Sequence, residues 1–236
     1  RVNLTNNLPQ DTTIHWHGVR VPNAMDGVPF LTQTPVKPSQ KFTYDFIPQD
    51  SGTYWFHPHV RGHEQVERGL FGVLIVEAED EPDYDQELVW GLDDILTEED
   101  GSFDDQFNLK FLDTGGRLGN ILTVNGKATP TFKARAGERI RIRVINSSNA
   151  RNYRLSIPGL NASIIAVDGN RVGELQQLDS FNIVPGNRVD IDLTVPLDFK
   201  ETRIDVSNSF FHREAGGNAL AGPEIIARLQ VEGRVQ

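Results

Sequence analysis

The chain has 236 residues, enough for one large domain or two of ordinary size, and 38% hydrophobic with 24% charged residues describes a packed globular protein. A formal net charge of −10 disfavours nucleic acid as a partner, because phosphate binding needs a basic surface, and it disfavours simple docking on anionic lipid. With no cysteine, disulfides, iron–sulfur clusters, thiolate catalysis and thiolate copper sites are excluded within the chain, and no apolar run is long enough to span a bilayer.

Strand signals recur along the chain and helix signals are scarce. The sequence opens inside a predicted strand, Val2 to Asn6, with no signal peptide in view. It therefore reads as a mature form, a fragment, or the core of a longer chain. Residues 41–46 (K-F-T-Y-D-F) alternate apolar and polar as a half-buried strand does. The aromatic run Tyr54-Trp55-Phe56 suits a sheet, and residues 72–76 (G-V-L-I-V) read as a buried strand closing a first unit. The acidic segment 77–87, with Pro82 inside it, is expected to be a linker, since like charges repel and proline resists regular structure. The domain boundaries are thus expected at 1–80 and 81–236.

The second unit opens with residues 88–92 (L-V-W-G-L), and a polar stretch runs from there to Gly119. Residues 139–145 (R-I-R-I-R-V-I) alternate strictly, so isoleucine and valine line one face and arginine the other. That arginine face is expected to meet acidic groups on another sheet or domain. Further strands are predicted over 153–157, 163–167 and 189–193, punctuated by Asp168-Gly169-Asn170 and Pro185-Gly186-Asn187. Many short strands at this spacing argue for two all-β sandwiches or Greek-key barrels. Sequons at Asn3, Asn146 and Asn161 offer glycan acceptors in a eukaryote.

Of six histidines, five lie in the first 63 residues, and four form two His-x-His pairs: His15-Trp16-His17 and His57-Pro58-His59. On a strand, the two rings of such a pair project from one face, about 6.6 Å apart. One ion bridges that spacing only with bent geometry, so neighbours fit different ions more easily. Two pairs on adjacent strands then make a four-imidazole patch suited to a cluster of metals. All-nitrogen ligation suits copper or zinc, with copper favoured on affinity and structural zinc as the competing reading. Trp16 and Trp55 are expected to pack around the cluster. His63 reads either as a group orienting a ligand or as a solvated loop histidine. His212 stands alone and reads as structural. Asp26 precedes Gly27, and Asp-Gly is a common turn pair.

The segments T-I-H-W-H-G (13–18) and G-T-Y-W-F-H-P-H-V-R-G-H-E-Q-V-E-R-G-L-F-G (52–72) resemble the two first-domain copper motifs of multicopper oxidases, the family of laccases, ascorbate oxidase, ferroxidases and bacterial copper-tolerance oxidases. Met25-Asp26-Gly27-Val28-Pro29 and Gln33-Thr34-Pro35-Val36 resemble that family too. So do Val124-Asn125-Gly126, Arg143-Val144-Ile145-Asn146 and Ala166-Val167-Asp168-Gly169, which are similar to its non-catalytic middle domain. The resemblance implies two cupredoxin-like Greek-key domains, the first incomplete at its N-terminus. It implies that His15 binds a type 2 copper, that His17 and His57 share one ion of a binuclear type 3 pair, and that His59 binds the other. It implies that Asp26 hydrogen-bonds near the type 2 ion and helps deliver protons; the turn reading of Asp26 stands beside it.

The family's third domain supplies the remaining histidines and a His-Cys-His motif holding type 1 copper. With no cysteine here, that domain or another chain has to complete the cluster before O2 can be reduced, and the chain alone is expected to be inactive. The resemblance further implies a small-molecule or metal-ion reductant and a periplasmic or secreted location. A second reading is a non-enzymatic cupredoxin-fold protein that binds copper or assists assembly. Relatives of that kind lose the copper histidines, and all four are present.

Overall fold

The computed structural model describes residues 1–107, 115–177, 179–209 and 223–235. His212 lies outside them, as does part of the polar stretch before Gly119. The chain divides into two compact units, Arg1–Asp80 and Glu81–Gln236.

The first unit is built from short strands. β1 (Val2–Thr5) pairs antiparallel with β3 (Lys41–Tyr44), and β2 (His15–His17), β4 (Gly52–His57) and β5 (Gly72–Val76) form a second sheet in the order β2-β4-β5. One α-helix, α1 (Gly62–Glu67), follows the second histidine motif. Six residues give less than two turns, so its stability comes from docking rather than helix propensity. Gln65 supplies that docking: fully buried, it accepts a hydrogen bond from Thr12 Oγ1 at 2.7 Å and donates through Nε2 to the Asp11 carbonyl at 2.9 Å.

The second unit is a two-sheet sandwich. Its larger sheet comprises β6 (Gln86–Ile95), β7 (Ile121–Val124), β9 (Arg139–Asn146), β11 (Asn161–Val167), β12 (Asn170–Gln177) and β14 (Arg188–Thr194), in the order β12-β11-β14-β9-β6-β7. The other holds β8 (Thr131–Ala136), β10 (Tyr153–Ser156), β13 (Phe181–Ile183), β15 (Arg203–Asn208) and β16 (Glu224–Arg234), in the order β13-β10-β15-β16-β8. One buried cluster draws on both: Trp90, Ile142, Ile191, Leu155, Val206 and Leu229 belong to it. The all-β, cupredoxin-like architecture agrees with the expectation from the sequence.

Three sequence expectations need correction. The arginine face of β9 meets carboxylates on the adjacent strand of its own sheet. The register sets Arg143 opposite Asp190 and Arg141 opposite Asp192, because β14 alternates with the same period and opposite charge. Asp190 Oδ2 accepts from Arg141 Nη2 at 2.7 Å and from Arg143 Nη1 at 3.3 Å. The acidic segment is not a free linker after residue 80. Glu81 pairs with Arg141 and Arg143, Glu87 with Arg143 Nε at 3.0 Å, and Asp85 accepts from the Arg139 amide at 2.8 Å. Attraction to the arginines overrides the mutual repulsion that predicted a detached linker. Asn146, moreover, is no glycan acceptor. It is fully buried and donates through Nδ2 to the carbonyls of Arg151 (2.8 Å) and Ile183 (3.0 Å).

Candidate metal centre

The β2–β4 ladder places the first three histidines. His15 lies opposite His57, Trp16 opposite Phe56 and His17 opposite Trp55. Alternation sends His15 and His17 to one face and Trp16 to the other. Trp16 is buried there against Tyr44, Phe46 and Phe56, with ring centroids 5.1–5.6 Å away. On the histidine face, Trp55 stacks on His57 at 4.3 Å and lies 5.0 Å from His17, forming a floor beneath both rings.

The second pair departs from the sequence expectation, which put it on a strand. β4 ends at His57. Pro58 has no N–H to give a ladder, so the chain leaves the sheet there. His59 still returns to the group, 5.0 Å from His15 and 5.7 Å from His57 by ring centroid. All four rings therefore gather on one side of unit 1. His15, His17 and His57 are part-buried and His59 is exposed, which leaves the patch open.

Main-chain carbonyls fix which nitrogens face inward. His15 Nδ1 donates to the Asp26 carbonyl at 2.8 Å, and His57 Nδ1 donates to the Pro58 carbonyl at 2.9 Å. A carbonyl only accepts, so each Nδ1 carries the proton and each Nε2 keeps its lone pair. His57 Nε2 stands 3.3 Å from His17 Nδ1. Two nitrogens bound to one ion at about 2.0 Å, with a tetrahedral angle between them, are about 3.3 Å apart. The pair therefore has the separation that a shared ion requires. The candidate ligand atoms of His15, His17 and His57 all lie within 4.8 Å of one another. The donor set is imidazole throughout, which suits copper or zinc.

Burial pushes the His57 imidazole down to about 4, and repulsion from His15 and His59 adds to it, while the Pro58 carbonyl pulls the other way. The unfolded chain, with an ordinary histidine pKa of 6.5, takes up this proton first as pH falls. Stability from neutral His57 is thus complete above about 6.5 and is lost progressively as pH drops towards 4. The difference is worth at most about 3 kcal/mol, less what solvent screening removes at this part-buried site. Imidazole NMR of the metal-free protein should show His57 titrating near 4, and urea unfolding should show stability rising between pH 4 and 6.5. A midpoint near 6.5 for His57 defeats this account.

Asp26 follows a 3-10 turn at Asn23–Met25. Its carboxylate Oδ1 is 3.3 Å from His15 Nδ1, on the same ring nitrogen that its carbonyl already engages. Carbonyl and carboxylate of Asp26 thus both face His15 Nδ1, a geometry that accommodates both the turn reading and the acidic-neighbour reading. His63 is exposed on α1, not in a loop. Sequence reasoning passed over Thr13, a fully buried residue whose Oγ1 accepts from the His59 amide at 3.3 Å. The available signal was its position two residues before His15, in step with the histidine alternation. His57 and Pro58 also border a cavity of about 400 Å³, whose walls include Ile14, Phe56, Leu70 and Phe71.

Family models described as multicopper oxidase match residues 1–81 and 93–202. The chain belongs to the multicopper oxidase family. Copper is that family's cofactor, and the imidazole donor set fits it. A multicopper oxidase of Staphylococcus haemolyticus is 30% identical across 99% of the chain, and copper resistance protein A of Escherichia coli is 30% identical across 80% of it. Among solved structures, a multicopper oxidase from Pseudomonas thermotolerans superposes on all of the chain with a TM-score of 0.87 at 33% identity. The chain covers 54%, 38% and 54% of these three proteins respectively, so it spans about half or less of the length of the relatives it matches.

Proposed function

We propose that residues 1–80 form the first-domain half of a trinuclear copper site and that residues 81–236 are the non-catalytic middle domain. In this reading His15 serves a type 2 copper through Nε2. His17 Nδ1 and His57 Nε2 share one type 3 ion, and His59 serves the other. A third cupredoxin domain or another chain completes the cluster and brings type 1 copper. The observation that carries the reading is the 3.3 Å approach of His17 Nδ1 and His57 Nε2, with the far nitrogen of His57 held by a carbonyl.

Copper, when bound, supplies the electron storage that couples one-electron oxidation of phenols, aromatic amines or metal ions to four-electron reduction of O2 to water. The chain's residues do the rest. Carbonyls of Asp26 and Pro58 hold His15 and His57 in the ligating tautomer, and Trp55 fixes the plane of His57. Asp26 is positioned to hold and pass on a proton beside His15, and four protons are consumed for each O2 converted to two waters. The apolar walls of the cavity beside His57 suit the approach of a small uncharged molecule such as O2. The reading extends to a periplasmic or secreted location.

The test is metal analysis after copper-replete expression, with O2 uptake measured on the full-length protein. Wild-type protein is expected to hold copper, and His57→Ala to bind it at least tenfold more weakly. Absence of copper from wild-type protein sinks the proposal. Tight copper binding with no O2 uptake favours the non-enzymatic copper-binding reading instead.

A further inference from the structure

Three of the four histidines are placed by ladder rungs; His59 is not. Pro58 ends the ladder, and the His59 ring is exposed, so neither pairing nor packing on that side determines where it stands. Its amide is anchored by a bond to Thr13 Oγ1 at 3.3 Å.

Thr13 is itself a fixed point. It is fully buried and belongs to the segment that runs into His15. Next to it, the Thr12 amide donates to the Val36 carbonyl at 3.1 Å, and the Val36 amide donates to the Thr12 carbonyl at 2.9 Å. On the other side, Gln65 ties Asp11 and Thr12 to α1, which begins three residues after His59. The loop carrying His59 is therefore held at two places by residues 11–13: at its own amide, and through the helix that follows.

We infer that Thr13 is a positioning residue for copper binding: its hydroxyl sets His59 relative to His15, so that both can serve neighbouring ions. This rests on the copper reading above. Valine has nearly the shape of threonine but no acceptor, so Thr13→Val leaves the His59 amide without its partner and frees the loop to drift. Metal sites tolerate only about ±0.2 Å in ligand distance, so a small drift is felt.

The experiment uses the full-length protein with copper(II) alone as probe, in competition with a chelator. Thr13→Val is expected to weaken copper binding about tenfold, the lower end for residues that orient ligands. Thr13→Ser, which keeps the hydroxyl, should bind within about twofold of wild type. Combining Thr13→Val with His59→Ala should lose no more than His59→Ala alone, because both act on one ligand. Amide hydrogen exchange gives a metal-free readout. The His59 amide should exchange at least about tenfold faster in Thr13→Val, while β4 and β5 amides keep their protection.

Wild-type affinity in Thr13→Val, equal losses in Thr13→Ser, or additive losses in the double variant each overturn the inference. Loss of β4–β5 protection along with the His59 amide also overturns it, because Thr13 then holds the fold rather than the ligand. Failure of the full-length wild-type protein to bind copper strikes the copper reading itself, which separates the two outcomes.

Discussion

Replacing Asp190 with alanine is expected to destabilise the second unit by about 3–5 kcal/mol, the range for removing one partner of a buried ionic group. Asp190 is 1% exposed, as is Arg143, and Arg141 is 5% exposed. Both guanidinium groups converge on Asp190 Oδ2. Without that carboxylate, two buried cations remain with Glu81 and Glu87, whose side chains are more open to solvent. Neither arginine can shed its proton, so both charges stay in the sheet with only the more solvent-exposed carboxylates to balance them. Asp190→Asn keeps an acceptor and should fall between. Replacing Arg143 and Asp190 together with leucines should cost less than Asp190→Ala, since one buried cation rather than two then loses its carboxylate, and Arg141 keeps Glu81. The Arg20–Asp50 pair of the first unit gives the contrast: both side chains are largely exposed, so losing it should change little. Urea unfolding of the whole chain decides the matter. A loss under about 1 kcal/mol for Asp190→Ala means the carboxylate does not bear the load assigned to it.

That cluster also marks what was legible beforehand. R-I-R-I-R at 139–143 and V-D-I-D-L at 189–193 each read plainly as strands, because alternation needs only one segment at a time. Their pairing needs two segments at once. Equal period and opposite charge mark them as neighbours, whereas one strand read alone points its arginines only to acidic groups on another sheet or domain. The acidic segment failed for a related reason. Its charges predict mutual repulsion when read alone, and only the buried arginines reverse the sign.

The metal centre divides along the same line. Two His-x-His spacings announced four ligands, since alternation on a strand is a local property. Pro58 should have warned that the second pair leaves the ladder, because it has no N–H to donate. The tautomers were invisible: His15 and His57 are set by main-chain carbonyls, and a carbonyl has no signature of residue type. The helix α1 was invisible too, since six residues show less than two turns of helical period.

Gly27 is where the sequence named the right residue for an incomplete reason. Asp26-Gly27 reads as a turn, and Gly27 does adopt φ +77°, in the left-handed region that favours glycine. Its second duty is closeness. A Cβ on Gly27 would stand 1.8 Å from the Ile14 carbonyl oxygen and 3.0 Å from the His15 nitrogen. These are backbone atoms at the entrance to β2, so relief requires the main chain to separate by more than about 1 Å, several times what a metal site tolerates. Separation also pulls the Asp26 carbonyl from His15 Nδ1 and releases the ring.

Gly27→Ala is therefore expected to weaken copper binding through His15 by about 100-fold, the upper end for loss of an orienting partner. Gly69 supplies the control, with φ +85° and nothing within 4 Å of an added Cβ. Gly69→Ala carries the backbone strain of about 1–3 kcal/mol without the collision, and copper affinity should survive it. Chelator competition on both variants separates strain from displacement. Equal copper affinity in the two would mean that the close approach at Gly27 does not hold His15 in place.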